Sequence, residues 1–338
     1  MATVQVPFQT GGATLLSNHL GDALRRAGHT VSVITAPFRF GPDAELSRSM
    51  DFWQTEDFRQ INYIEPEVVI PLSFPCWGLT HPNKRVWMLH QHRAAYELYD
   101  EKNMTQMMSE QIRSFDTNHL NTCQQVFTIS ARVTERLATN NAIKSTPILH
   151  PPPDADLLYR SDRDALPFIF FPSRIETLKR QTLAISAMQY VDKSTFLIIA
   201  GMGGQYGACR DLVKKLGLEN QVRLLGEISE ADKRALYATS SAVLFPPFDE
   251  DYGYVTLEAM CAAKPVITCH DSGGVLDFVV DGVTGHVVAP TARAIADAIN
   301  SVANNKKKSV DMGEAGLSRY QQLDLSWNKV VSTLMGPA

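Results

Sequence analysis

Short apolar runs alternate with longer stretches of helical period along most of the chain. The first run, Thr3–Val6, precedes a stretch in which Leu16, Leu20, Leu24 and Ala27 recur at the spacing of one helical face. Gly28 stands where a helix end needs a residue that enters the left-handed region. Further apolar runs follow at Thr30–Thr35, Val68–Ile70, Val86–Leu89 and Val126–Ile129. A second series opens at Phe168–Phe171 and continues through Phe196–Ala200, Val222–Leu225, Val243–Phe245 and Val266–Thr268, again with helical stretches between. Ser229, with Asp232 three residues on, predicts a capping box at the start of one of these helices. Strands that alternate with helices in this way predict α/β architecture, with mostly parallel sheets covered on both faces.

Between the two series lies His150-Pro-Pro-Pro-Asp-Ala-Asp, followed by a charged stretch to Asp164. Three prolines forbid a helix there, so the chain divides into two doubly wound domains. The expected layout is a first domain over 1–150, a linker over 151–167, a second domain over 168–320 and a C-terminal helix over 321–338 that packs back toward the first domain. Ligands of such sheets bind at the carboxyl ends of the strands, and two such domains facing each other predict a cleft between them.

With 44% hydrophobic and 20% charged residues, the composition excludes disordered, collagenous and coiled-coil classes. Up to residue 165 there are 15 basic against 18 acidic residues, and 17 against 18 beyond it, so neither half suits nucleic acid as a partner. The longest apolar stretch, Val68 to Leu79, is interrupted by Pro71 and Pro75 and is too short to span a membrane. No Lys or Arg precedes Arg25 and no cleavage-site pattern follows, which predicts no secretory signal. The expected address is cytoplasmic or the inner face of the membrane, with at most weak peripheral contact. Cys76, Cys123, Cys209, Cys261 and Cys269 include no Cys-x-x-Cys pair and read as reduced thiols.

Two segments carry candidate chemistry. Ser173-Arg-Ile-Glu-Thr-Leu-Lys-Arg lies between the run Phe168–Phe171 and a helical stretch from Gln181 to Met188. Arg174 and Lys179 thus flank one strand-to-helix loop, where they, with Arg180 as a third cation, can converge on a dianion aided by helix amides. The bland alternative is a set of cations on a solvated helix start. In the stretch from Phe245 to Met260, Pro246-Pro247 break a strand and a helix resumes near Val255, which places Glu250 in the loop and Glu258 inside the helix. A loop carboxylate can accept hydrogen bonds from sugar hydroxyls, and one a turn into the helix can bind a ribose diol. Gly253 permits close backbone approach, and the amides of Tyr254, Val255 and Thr256 lie where an anion would meet the helix. Alternatively, Glu250 and Asp251 are solvated loop charges and Glu258 a surface helix residue.

The combination Arg174-x4-Lys179 and Glu250-x7-Glu258 resembles the nucleotide-sugar-binding signature of family 4 of the retaining glycosyltransferases, which adopt the GT-B fold. Gly201-Met-Gly-Gly and the segment from Val222 to Ile228 resemble the family's base-binding strands and loops, and Asp271-Ser-Gly-Gly with Asp281-Gly-Val-Thr-Gly resembles its closing segment. Gly11-Gly12 resembles the family's glycine loop, and His90, with His92 as the alternative, stands where members place a histidine facing the reacting sugar. The resemblance implies transfer of a hexose, with retention, from a UDP- or GDP-sugar to a hydroxyl of a glycan, glycolipid or small molecule. It implies no cofactor and no metal. Arg174 and Lys179 would then hold the diphosphate, Glu250 the donor sugar, Glu258 the ribose and His90 the reacting face. Gly11, Gly12, Gly201, Ile228, Gly253, Tyr254, Val255 and Thr256 complete the expected donor site.

Two patterns mimic other chemistries. Gly201-Met-Gly-Gly-Gln-Tyr-Gly has the wrong final spacing for a dinucleotide fingerprint and no acidic strand end about 20 residues on. Asp249-Glu-Asp251 spells the metal motif of the single-sheet glycosyltransferase fold, but two strand–helix series argue against that fold. The rival functions are a nucleotide-sugar epimerase of the same fold and a non-catalytic sugar-binding protein.

Overall fold

The computed structural model describes residues 1–8, 11–161 and 165–336. It divides into two compact units: Met1–His150 together with the segment from Ser326 onward, and Pro151–Leu325. Of the expected linker, 162–164 lie outside the described residues, as do 337–338 of the expected terminal segment.

In the first unit β1 (Ala2–Gln5) is followed by Gly11, extended at φ −165°, and α1 (Gly12–Arg26). Leu16, Leu20 and Leu24 are buried on one face as their spacing predicts, but Ala27 is an exposed C-cap outside that face. Gly28 follows in the left-handed region at φ 92°. β2 (Ile34–Pro37) runs parallel to β1 and starts later than Thr30, because the ladder opens at Ala2↔Ile34. Then come α2 (Asp43–Thr55), β3 (Arg85–Met88), α3 (Gln106–Leu120), β4 (Gln125–Thr128), α4 (Ala131–Asn141) and β5 (Thr146–Pro147), with β3, β4 and β5 adjacent and parallel.

The expected strand Val68–Ile70 does not form a continuous ladder. Its backbone bonds to strands on both sides: Ala2 N–H donates to Ile70 O, Arg85 N–H to Val69 O and Trp87 N–H to Pro71 O, each at 3.0 Å. Pro71 has no N–H with which to return a bond, so the pairing is reduced to single bridges at Ala2↔Pro71 and Val69↔Lys84.

The second unit follows the expected series closely, as β6 (Phe168–Pro172), α5 (Gln181–Ala187), β7 (Phe196–Ala200), α6 (Tyr206–Lys215), β8 (Val222–Gly226), α7 (Glu230–Thr239), β9 (Ala242–Leu244), α8 (Tyr254–Cys261) and β10 (Val266–Cys269). An additional strand, β11 (Gly285–Val288), leads to α9 (Ala292–Asn304) and α10 (Lys306–Leu323). The six strands form one parallel sheet in the order β11-β10-β9-β6-β7-β8. β6, β9 and β10 are buried along their whole length, which explains their unbroken apolar sequences. Ser229 caps α7 by accepting from Asp232 N–H at 3.1 Å, but its hydroxyl donates to the Asp232 carboxylate rather than the two closing a reciprocal box.

The segment expected as a linker belongs to the second unit. Leu158 packs on its core, and Arg160 pairs with Glu314 at 2.6 Å. The chain returns to the first unit as α11 (Trp327–Met335), whose Val330, Val331 and Leu334 are buried. Trp327 meets the rings of Trp87 and His150, with centroids 6.3 and 5.8 Å apart, and Arg85 Nη1 donates to Leu334 O at 2.8 Å. Among the described residues no helix is long and apolar enough to cross a membrane. All five cysteines are free thiols.

Candidate active site

The strand order of the second unit fixes where a ligand can enter. From β6 the chain proceeds outward on one side through β7 and β8, and on the other through β9, β10 and β11. The order reverses between β6 and β9, and at such a switch point the loops leaving two neighbouring strands part and open a crevice at their carboxyl ends. Both predicted chemical segments leave these two strands.

Lys179 and Glu250 meet there as an ion pair, Lys179 Nζ donating to Glu250 Oε2, with the ammonium also 5.5 Å from the centre of the Phe245 ring. Both side chains are about four-fifths buried, at 18% and 20% exposure, so water screens the pair only in part. Arg174, at the opposite end of the same loop, is exposed and makes no ion pair among the described residues. The third expected cation is committed elsewhere. Arg180 donates through both terminal nitrogens to the two oxygens of Asp271, at 2.8 and 2.7 Å, and lies over the Phe248 ring. These hydrogen bonds hold the Asp271 carboxyl below its ordinary range and raise the Arg180 pKa.

α8 begins at Gly253, where φ is 89° and a Cβ would lie 2.8 Å from Val275 Cγ2. That position therefore accepts glycine alone. Of the three amides expected to face an anion, that of Thr256 closes on Gly253 O at 3.0 Å. The short helix entry tightens into an i to i+3 bond there. The Thr256 side chain is buried, Val255 packs on the core, and Tyr254 meets Tyr252 edge to face. Burial, followed by the nearby Glu258 charge, raises the Tyr254 pKa.

Glu258 is not a surface residue. Its side chain is 8% exposed, Tyr237 OH donates to Oε2 at 2.6 Å, and Lys233 Nζ donates to Oε1 at 3.4 Å. Each carboxylate oxygen keeps a second lone pair with which to accept a hydroxyl. Tyr237 and Lys233, one turn apart on α7, were not legible as site residues, since nothing local links them to a glutamate more than 20 positions away.

Gly201 sits at φ 133° in the loop after β7, where a Cβ would lie 2.1 Å from Ser173 O. Ser173 N–H donates to Ala200 O at 3.0 Å and Ile175 N–H to Met202 O at 2.9 Å, so this loop backs directly onto the one carrying Arg174 and Lys179. Ile228, just beyond β8, is half-buried against the core.

Three predicted residues lie in the first unit. Gly11 and Gly12 form the N-cap and first residue of α1. His90 follows β3, half-buried, with Nδ1 2.7 Å from Gln91 O. His92 is buried among Phe38, Phe40 and Phe74, and burial lowers its pKa to about 4. His92 is thus a core residue, and of the two histidines His90 has the accessible ring.

The glycosyl transferases group 1 family matches residues 161–319, the segment that carries the loops after β6 and β9. The similarity to that family covers just under half of the chain. The chain is 39% identical over 110 residues to the alpha-1,3/1,6-mannosyltransferase ALG2 of Dictyostelium discoideum, covering 32% of this chain and 26% of that one. It is 28% identical over 176 residues to the D-inositol 3-phosphate glycosyltransferase of Corynebacterium aurimucosum, covering 49% and 41%. The matches thus span well under half the length of these relatives. Among solved structures, sucrose-phosphate synthase from Thermosynechococcus elongatus is similar at TM-score 0.79 and 19% identity over 99% of this chain and 96% of that one. Anabaena HepE in complex with UDP and glucose is similar at TM-score 0.72 and 16% identity over 99% and 98%. The fold is GT-B, two Rossmann-like α/β units.

Proposed function

We propose that this protein is a retaining glycosyltransferase that moves a hexose from a UDP- or GDP-sugar to the hydroxyl of a glycan, glycolipid or small-molecule acceptor. The observation that carries the proposal is the apposition of Lys179 and Glu250 at the switch point of the second unit. A cation and a carboxylate held side by side match the two ends of the scissile bond, one facing the phosphate and the other the sugar hydroxyls.

As the glycosidic bond breaks, negative charge grows on the leaving phosphate while the sugar becomes oxocarbenium-like. Lys179 and the exposed Arg174 stabilise that charge more in the transition state than in the ground state, which is where binding energy accelerates the reaction. Fixed cations leave no need for a divalent metal, and we propose turnover without one. Glu250 accepts from donor-sugar hydroxyls and Glu258 accepts from the ribose diol. No protein nucleophile is invoked; the acceptor attacks from the face the diphosphate leaves.

Thermal-shift titration with UDP, GDP and their sugars tests the donor site, since ligand at about 100 times its dissociation constant stabilises a fold by roughly 2.7 kcal/mol. An acceptor screen that reads nucleoside diphosphate release and the anomeric configuration of the product tests the transfer. Inversion of the anomeric centre, or a changed sugar without any transfer, would refute the proposal.

A further inference from the structure

The loops following β6, β9 and β10 meet at the carboxyl end of the six-stranded sheet. Backbone bonds tie the middle loop to both neighbours. On one side Phe248 N–H donates to Leu178 O at 2.7 Å; on the other, Asp249 N–H donates to Asp271 O at 2.8 Å and Gly274 N–H to Glu250 O at 2.7 Å. The two outer loops are joined by side chains. Arg180 reaches across the Phe248 ring, with Cζ 5.0 Å from its centre, and grips both oxygens of Asp271 at 2.8 and 2.7 Å.

The backbone of Arg180 makes this bridge informative. It sits at φ 60°, a conformation glycine adopts freely and a side chain does not. The position carries a long cation in spite of its backbone, and that cation faces a carboxylate on another loop. Its neighbour Lys179 makes the companion pair with Glu250. The backbones that carry the two carboxylates are themselves linked, because Glu250 N–H donates to Ser272 O at 3.2 Å, beside Asp271. Two successive residues of one loop are therefore paired with two loops that are bonded to each other.

We propose that Arg180 and Asp271 form a positioning strut that fixes Lys179 opposite Glu250, and with it the anion-receiving geometry of the donor site. The second half of this statement rests on the diphosphate role proposed for Lys179. Both terminal nitrogens of Arg180 are committed to Asp271, so Arg180 acts through Lys179 rather than on substrate.

Three variants test the strut. Arg180→Gly removes the guanidinium and suits the backbone, Asp271→Asn removes the charge at constant size, and R180D/D271R exchanges the partners. The first measurement uses no nucleotide: acylation of Lys179 by an amine-selective reagent, followed by peptide mass spectrometry with Lys193 as the internal reference. Both single variants should acylate Lys179 at least about threefold faster, as an amine freed from its carboxylate does, and the exchange should restore the slow rate. Should Arg180→Gly fail to fold, Asp271→Asn carries the same measurement. Unchanged acylation in a folded single variant, or no restoration in the exchange, overturns the strut.

Calorimetric titration with UDP and GDP then tests the consequence. Loss of a bidentate charge-assisted contact that orders the site should weaken nucleoside diphosphate binding about tenfold in the single variants, with recovery in the exchange. Wild-type affinity in the single variants overturns the link to the donor site. If the wild-type protein binds neither nucleotide, the proposed function fails, and the acylation rates alone decide whether the strut exists.

Discussion

Tyr237 donates its hydroxyl to Glu258 at 2.6 Å from a position with no solvent exposure. A carboxylate 8% exposed has little access to water, so its own protein must supply the hydrogen bonds, and Lys233 at 3.4 Å is the weaker of the two donors. Tyr237→Phe should cost about 1.5–3 kcal/mol of stability, the range for a buried hydrogen bond to a charged group. It should also weaken nucleotide binding more than it slows transfer at saturating donor. Urea unfolding at unchanged m and donor-dependence kinetics check both; a variant as stable as the wild type would show that the contact is idle.

Arg174→Ala and Lys179→Ala should each lower turnover on the order of 100- to 1000-fold at saturating donor, by removing a preorganised cation from a developing phosphate charge. Their stabilities should diverge. The Arg174 side chain is exposed, so its loss should leave the melting temperature alone, whereas loss of Lys179 leaves the largely buried Glu250 without its cation. Near-full activity in either variant would remove that residue from the diphosphate site.

In the first unit a buried carboxylate should make stability depend on pH. Trp77 Nε1 at 3.0 Å, Tyr96 OH at 2.7 Å and Gln91 Nε2 at 3.4 Å all donate to Asp116, yet burial prevails and pushes its carboxyl up to about 7. The native state then holds a proton that the unfolded chain releases near pH ~3.9. This group's contribution is complete below that pH and is lost as pH rises through about 7. The stability advantage of wild type over Asp116→Asn should therefore shrink by up to about 1.4 kcal/mol per pH unit across the window. Buried His92, with its pKa lowered to about 4, imposes the opposite slope on both proteins and cancels in the difference. Urea titrations of the pair at several pH values check this; a constant difference would mean that Asp116 is ionised throughout.

Exhaustive chelation of divalent metal should leave turnover intact. The alternative is a metal held by Asp249 and Asp251, and it predicts a different pattern: activity lost in chelator, restored by magnesium or manganese, and abolished by Asp251→Ala. That pattern, if observed, would assign the phosphate charge to a metal instead of to Arg174 and Lys179.

The sequence pattern was most legible where burial was most uniform. β6, β9 and β10 are enclosed on both faces, so their apolar runs stand out. β11 is half-buried and opens with Gly285, whose Cβ would lie 1.9 Å from Val266 O, and such a strand leaves almost no apolar signal. The strand expected at Val68–Ile70 was read correctly as extended backbone, but the proline beside it decides how much ladder can form. Lys179 and Glu250 could be singled out from the sequence because their loops follow recognisable strands. Arg180 read as a third free cation because its partner Asp271 lies 91 residues away, and pairings at that range leave no local trace. That Glu258 is buried rather than a surface residue was not legible, because Tyr237, which donates to it, lies 21 positions away.

The first unit is discontinuous in sequence, and this bears on how the chain matures on the ribosome. Trp87 and His150 are fully buried, but part of what covers them, Trp327 of α11, emerges only after the whole of Pro151–Leu325. Domains usually fold in order of synthesis. Here the unit that begins first is completed last, and the middle of the chain can reach its native state while the opening half still exposes two aromatic rings. A nascent chain that ends before Trp327 lacks the ring that packs against Trp87 and His150.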